Sequence, residues 1–132
     1  MYIILDFDGT VVEHEYPRIG AYNHGCFEVL KKLQDTGHEI ILNTYRIDCN
    51  DGTFDKAIDY LNYYPKNLKP ISKWTKAKVQ PPDWNWEYFK SHKTIYIDDI
   101  SKGVPLRNAI GVSDKMVDWY EVDRQMQQNN IY

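Results

Sequence analysis

Tyr2-Ile3-Ile4-Leu5-Asp6-Phe7-Asp8-Gly9-Thr10 is the stretch on which the reading of the whole chain turns. Its first four residues are apolar and β-prone, and the run stops at an acid. That is the pattern of a buried strand whose carboxyl end opens into a polar site. Asp6 and Asp8 stand two residues apart, so an extended backbone points both to one side, and Gly9 allows a sharp turn behind them. Two close, buried carboxylates repel and need a cation or hydrogen bonds to compensate. Mg²⁺ suits such a pair, because it prefers a few carboxylate oxygens together with waters and substrate phosphate.

Working outward, strands and helices alternate. Cys26, Phe27, Leu30 and Leu33 recur at helical spacing, with Gly37 as a stop signal. Ile40-Ile41-Leu42 predicts a second strand, ending at Thr44. Phe54, Ile58 and Leu61 mark a helix that Asp51 or Thr53 caps, with Pro65 beyond its end. A weaker strand is expected around Leu68 to Ile71, against which Pro70 argues. Pro81-Pro82-Asp83 reads as the start of a short helix carrying Trp84, Trp86, Tyr88 and Phe89. Ile95-Tyr96-Ile97 is another short strand ending in acid, at Asp98 and Asp99, and Asp118 caps a last helix whose apolar face is Trp119, Val122 and Met126. Such alternation predicts an α/β fold, a parallel sheet with helices on both faces. Ligands of these sheets bind at the carboxyl ends of the strands, where Asp6/Asp8, Thr44 and Asp98/Asp99 are expected to converge.

The composition fits one domain over residues 1–132. With 42% hydrophobic and 27% charged residues, disorder, collagen and coiled coil are excluded. Sixteen Lys and Arg against 19 Asp and Glu give a formal charge of −3, which exerts no general pull toward nucleic acid or anionic lipid. The apolar runs are too short to cross a bilayer and the first residues lack a basic region, so a cytoplasmic address and no membrane partner are expected. Cys26 and Cys49 have no CxxC spacing and read as reduced thiols.

Asp6-Phe7-Asp8-Gly9-Thr10, Thr44 behind an apolar strand, a lysine, and Asp98-Asp99 follow one another in the order of the haloacid dehalogenase-like (HAD) superfamily motifs. The chain resembles that superfamily, and Glu15-Tyr16-Pro17-Arg18-Ile19-Gly20, Gly103-Val104-Pro105-Leu106 and Val117-Asp118-Trp119 resemble its small capless bacterial and phage members. The resemblance implies a Rossmann-like core without a separate cap domain and a Mg²⁺-dependent phosphatase acting through an aspartyl-phosphate. Asp6 would be the nucleophile and Asp8 the acid and base. Thr44 and a lysine would neutralise the transferring phosphoryl oxygens, with amides and side chains at Gly9 and Thr10 adding contacts. Asp6, Asp8, Asp98 and Asp99 would hold the metal.

Lys73, Lys76, Lys78, Lys90 and Lys93 all fall between Thr44 and Asp98. Position relative to the predicted strands favours the middle ones, with Lys78 first and Lys76 second as a further phosphate contact. Arg46 either touches substrate phosphate or pairs with Asp48. The four histidines lack metal-ligand spacing, although His14 lies in a loop able to fold over the site. The Trp84–Phe89 aromatics either pack or stack on a ligand, and packing is preferred.

The gaps between motifs leave no room for a cap, so an open site is expected, suited to a phosphorylated substrate such as a nucleotide or a nucleic-acid end. A homo-oligomer stays open. The competing readings are a response-regulator-like phospho-acceptor, whose motif order differs, and a catalytically silent HAD-fold binding protein.

Overall fold

The first strand of the chain lies at the centre of its sheet. In the computed structural model, which describes residues 1–108 and 114–132, β1 (Tyr2–Leu5) runs parallel between β2 (Glu39–Leu42) and β3 (Thr94–Ile97). Leu5 is opposite both Leu42 and Ile97. The next residues of the three strands, Asp6, Asn43 and Asp98, are therefore brought side by side at one end of the sheet.

Ile3, Leu5, Leu42, Ile95 and Ile97 are fully buried, whereas the alternate residues Ile4, Ile41 and Tyr96 are only half-buried and Tyr2 is exposed. Helices are expected on both faces, and the cover of the two is uneven. α1 (Cys26–Asp35) buries Cys26, Val29, Leu30 and Leu33 and packs beside β2. It ends at Thr36, before Gly37 in the left-handed region. A short α2 (Arg46–Cys49) follows β2, and α3 (Thr53–Tyr63) opens with Asp51 Oδ1 accepting from the Thr53 amide at 3.0 Å. α4 (Trp86–His92) packs beside β3. β4 (Leu106–Asn108) and β5 (Lys115–Val117) pair antiparallel, a hairpin too short to announce itself by alternation. α5 (Trp119–Gln128) begins as expected, with Asp118 accepting from the Tyr120 and Glu121 amides, and packs against α1.

Two expectations are corrected. No strand forms at residues 68–71, where Pro70 has no amide to donate. The Lys69 and Ile71 amides go instead to Gln34 Oε1 at 2.8 Å and Asn62 Oδ1 at 2.9 Å, side chains of α1 and α3. The place beside β2 is taken by Lys73–Thr75, through a single parallel bridge between Leu42 and Trp74. In the aromatic segment the helix starts at Trp86, capped by Asn85, so Trp84 precedes it. Packing holds there: the Trp84 and Trp86 indoles both donate to Gln125 Oε1, and both rings stand edge-on to the buried Phe89. Among the described residues no helix is long and apolar enough to cross a membrane.

Candidate functional site

Asp6 is the first residue past β1 and is almost completely buried. Thr10 Oγ1 donates to its Oδ2 at 2.9 Å, and Lys78 Nζ donates to its Oδ1 at 3.0 Å. The same ammonium reaches Asp98 Oδ2 at 2.5 Å, and Asp98 Oδ1 accepts from the Ile100 amide. Lys78 is the lysine the site uses, with its side chain only 2% exposed. Two carboxylates share one ammonium, and Asp99 adds further negative charge. Burial, then the Asp98 charge, push Asp6 well above the usual carboxylate range against the pull of Lys78. Burial likewise raises Asp98, opposed by Lys78. For Lys78 burial works in the other direction, but Asp6 and Asp98 outweigh it and hold the ammonium charged.

Asp99 Oδ2 lies 2.7 Å from His14 Nε2. Burial disfavours the Asp99 anion, yet the contact with His14 prevails and lowers its pKa, while the hydrogen bond to Asp99 raises that of His14. Gly9 makes this pairing sterically feasible. Its φ is +80°, and a Cβ there would come within 2.2 Å of His14 Nε2 and 2.4 Å of Asp99 Oδ2. The loop carrying His14 does fold over the site.

Asp8 differs from its neighbour. Arg46 grips it with a fork, Nε to Oδ2 at 2.7 Å and Nη2 to Oδ1 at 2.8 Å. The remaining guanidinium hydrogens go to the carbonyls of Pro17, Arg18 and Thr53. All five donors of a guanidinium are thus occupied. Arg46 is 1% exposed, so the expectation that it binds substrate phosphate is corrected, as is its pairing with Asp48, which accepts from the Lys78 amide.

Further corrections follow from the same geometry. One oxygen each of Asp6, Asp98 and Asp99 lies within 4.8 Å of the others, and among the described residues Asp8 is not in that group. Lys76 is exposed and does not line the cavity. Thr10 is fully buried, with its hydroxyl committed to Asp6, and the Gly9 amide is held by the Val12 carbonyl at 2.7 Å. Both shape the site rather than face a ligand. The Phe7 and Asp8 amides have no acceptor among the described residues.

These groups form the floor of a cavity of about 230 Å³ that Asp6, Asp8, Thr44, Lys78, Asp98 and Asp99 all line. Thr44 Oγ1 accepts from the Arg46 amide at 3.2 Å and keeps its own hydrogen to donate. Chemically, the floor offers a carboxylate, an ammonium and a hydroxyl around one space. Its three clustered carboxylates are hard oxygen donors partnered by one ammonium, on Asp6 and Asp98, and one imidazole, on Asp99, a set that fits Mg²⁺.

No family model matches the chain, and no curated protein matches it. A solved structure of a conserved protein from Bacteroides thetaiotaomicron is similar to it, at 28% identity and a TM-score of 0.51. The match covers 98% of this chain and 91% of that one. This protein is a mixed α/β chain built on a three-stranded parallel sheet.

Residues that sequence reasoning passed over hold the site together. Asn43, next in line after β2, accepts from the Val79 amide at 2.8 Å and donates to the Val79 carbonyl at 3.2 Å, fixing the segment that carries Lys78. Asn23, fully buried, donates to the Thr10 and Val117 carbonyls, and the Trp119 indole also donates to Thr10 O at 2.7 Å. An asparagine directly behind an apolar strand was the available signal for Asn43. Asn23 gave none, because its partners are 13 and 94 residues away.

Proposed function

We propose that the chain is a Mg²⁺-dependent phosphomonoester hydrolase with a HAD-like core, acting through an aspartyl-phosphate on Asp6. One observation carries this reading: Asp6, fixed by Thr10 and Lys78, stands within 4.8 Å of Asp98 and Asp99 on the floor of an open cavity.

Asp6 attacks phosphorus, and the bond from phosphorus to the leaving oxygen breaks. Protonated Asp8 gives its proton to that oxygen. Water then loses a proton to Asp8 and attacks phosphorus, releasing inorganic phosphate and restoring Asp6. The Arg46 fork fixes the direction of the Asp8 carboxyl group, whose oxygens keep further lone pairs for the proton. Lys78 and the Thr44 hydroxyl, which line the cavity with Asp6, would receive the phosphoryl oxygens, where charge must be neutralised. Asp6, Asp98 and Asp99 would hold a Mg²⁺, which would supply positive charge to offset that of the phosphoryl group.

The test is phosphate release from a generic aryl phosphate and a panel of nucleotides, with Mg²⁺ or with chelator, for the natural chain and for Asp6→Asn. Metal-dependent turnover that disappears in the variant is expected. Turnover surviving Asp6→Asn, or none on any ester with Mg²⁺ bound, overturns the reading.

A further inference from the structure

The mouth of the cavity is unlike its floor. Three large apolar side chains line it while staying open to solvent: Tyr16 at 47% exposed, Tyr45 at 51% and Ile100 at 52%. Exposed tyrosines are ordinarily free to rotate, but these two are held at both ring and hydroxyl. The Tyr16 hydroxyl donates to Asp51, and the Arg46 guanidinium lies over its ring, 5.3 Å from the centroid. The Tyr45 hydroxyl accepts from Gln80 Nε2 at 2.6 Å, and Lys78 Nζ lies over its ring at 5.2 Å. Each ring therefore has a cation against it and substantial area still bare.

These tethers are not needed by the reacting groups, since Asp6, Asp8 and Lys78 are satisfied by other contacts. They do organise flat apolar surface in advance, which lowers the ordering cost of binding a planar group. The position relative to the floor matters as well. The ammonium over the Tyr45 ring is the one that contacts Asp6, so a single lysine side chain separates the ring from the candidate nucleophile.

We propose that Tyr16 and Tyr45, with Ile100, form a stacking rim for a phosphate ester whose leaving group carries a planar ring, a nucleobase or an aryl group. The proposal rests on the phosphatase reading for the place of the phosphate on the floor. Recognition by stacking tolerates different bases, because every base has a π-face. The substrate is thus defined by a flat group beyond the phosphate rather than by a sugar hydroxyl pattern.

The experiment compares ligands that differ only in the ring: adenosine 5′-monophosphate against ribose 5-phosphate, and phenyl phosphate against ethyl phosphate. Affinities are measured by calorimetry with Mg²⁺ on Asp6→Asn, which cannot form the aspartyl ester, while turnover of the same four is followed on the natural chain. The ring-bearing member of at least one pair binds more tightly, on the order of tenfold to a hundredfold. Preference in the first pair identifies a nucleobase, and preference confined to the second identifies an aryl ester. Tyr45→Leu or Tyr16→Leu moves the ratio toward one, and Tyr45→Phe, which keeps the ring, retains it. Equal affinities within both pairs overturn the rim, even if all four esters are hydrolysed. Ring preference without any turnover keeps the rim and removes the phosphatase reading.

Discussion

Asp6 and Asp8 are two residues apart at the end of one strand, yet the fold gives them opposite surroundings. Asp6 and Asp98 share a single lysine, and Asp99, paired with His14, stands beside them, so three carboxylates crowd together with one ammonium and one imidazole. Asp8 faces one guanidinium in a one-to-one fork whose remaining hydrogens are all bound to carbonyls. The first arrangement is unfavourable by itself and receptive to a further cation. The second is closed and tolerates no missing member. Sequence proximity made them look like a matched pair; their partners crowd charge around the candidate nucleophile and brace the candidate acid and base.

The brace is the place where damage should be greatest. Arg46 ties Asp8 to the 17–18 loop and to the start of α3, with its guanidinium lying over the Phe7 ring as well. Arg46→Met leaves Asp8 without its counter-ion and three carbonyls without a donor. Removing one partner of a buried pair costs about 3–5 kcal/mol, and that loss is expected as a lower urea midpoint. Arg46→Lys should recover only part of it, because an ammonium cannot reproduce the fork. If Arg46→Met unfolds at the natural midpoint, the contrast between the two aspartates is wrong.

Between them lies Gly9, and its substitution asks whether the centre and the brace can be disturbed separately. A left-handed φ costs an ordinary residue about 1–2 kcal/mol, and a methyl group at this position must also push aside the His14–Asp99 pair. Gly9→Ala is expected to lose at least that much stability in a thermal melt. The imidazole NMR signals of His14 should shift as its carboxylate partner moves. Unchanged His14 signals would mean that the pair is not seated against Gly9.

The strand ends were legible before any coordinates, since Asp6, Thr44 and Asp98 each follow an apolar run, and the sheet aligns those runs in register. Lys78 was chosen on the expectation of a strand at residues 68–71 and on the resemblance of its spacing to the superfamily's lysine segment; that strand does not form, and the bridge of Trp74 to Leu42 takes its place beside β2. What escaped was whatever depends on a partner far away in sequence. Arg46 looks like a phosphate ligand from its position after Thr44, and only the fold shows that Asp8, 38 residues earlier, has claimed it. Thr10 looked like a substrate contact, but the tight turn at Gly9 folds its hydroxyl back onto Asp6. At residues 68–71 apolar residues suggested a strand, and side chains of α1 and α3 took the amides a strand would have used.

The smallest effect on stability, and the sharpest on the comparison, is expected at Asp6 itself. Because burial and Asp98 raise its pKa in the folded chain, the folded state holds the Asp6 proton more tightly than the unfolded state, whose value is near 3.8. Its contribution to stability is therefore fully present below 3.8 and is lost as pH rises through the higher folded value. Wherever Asp6 is ionised, its charge works against folding. Asp6→Asn removes that charge with little change of volume, so in chelator at neutral pH the variant should be no less stable than the natural chain. Its advantage should grow as pH rises from the acid side. The readout is the difference in urea midpoints across pH, with Asp8→Asn measured alongside. Asp8→Asn is expected to lose stability, since it leaves the Arg46 charge buried without its counter-ion. Two substitutions of identical chemistry, two residues apart, should thus move the midpoint in different directions. A common direction would show that charge imbalance does not distinguish the crowded carboxylate from the braced one.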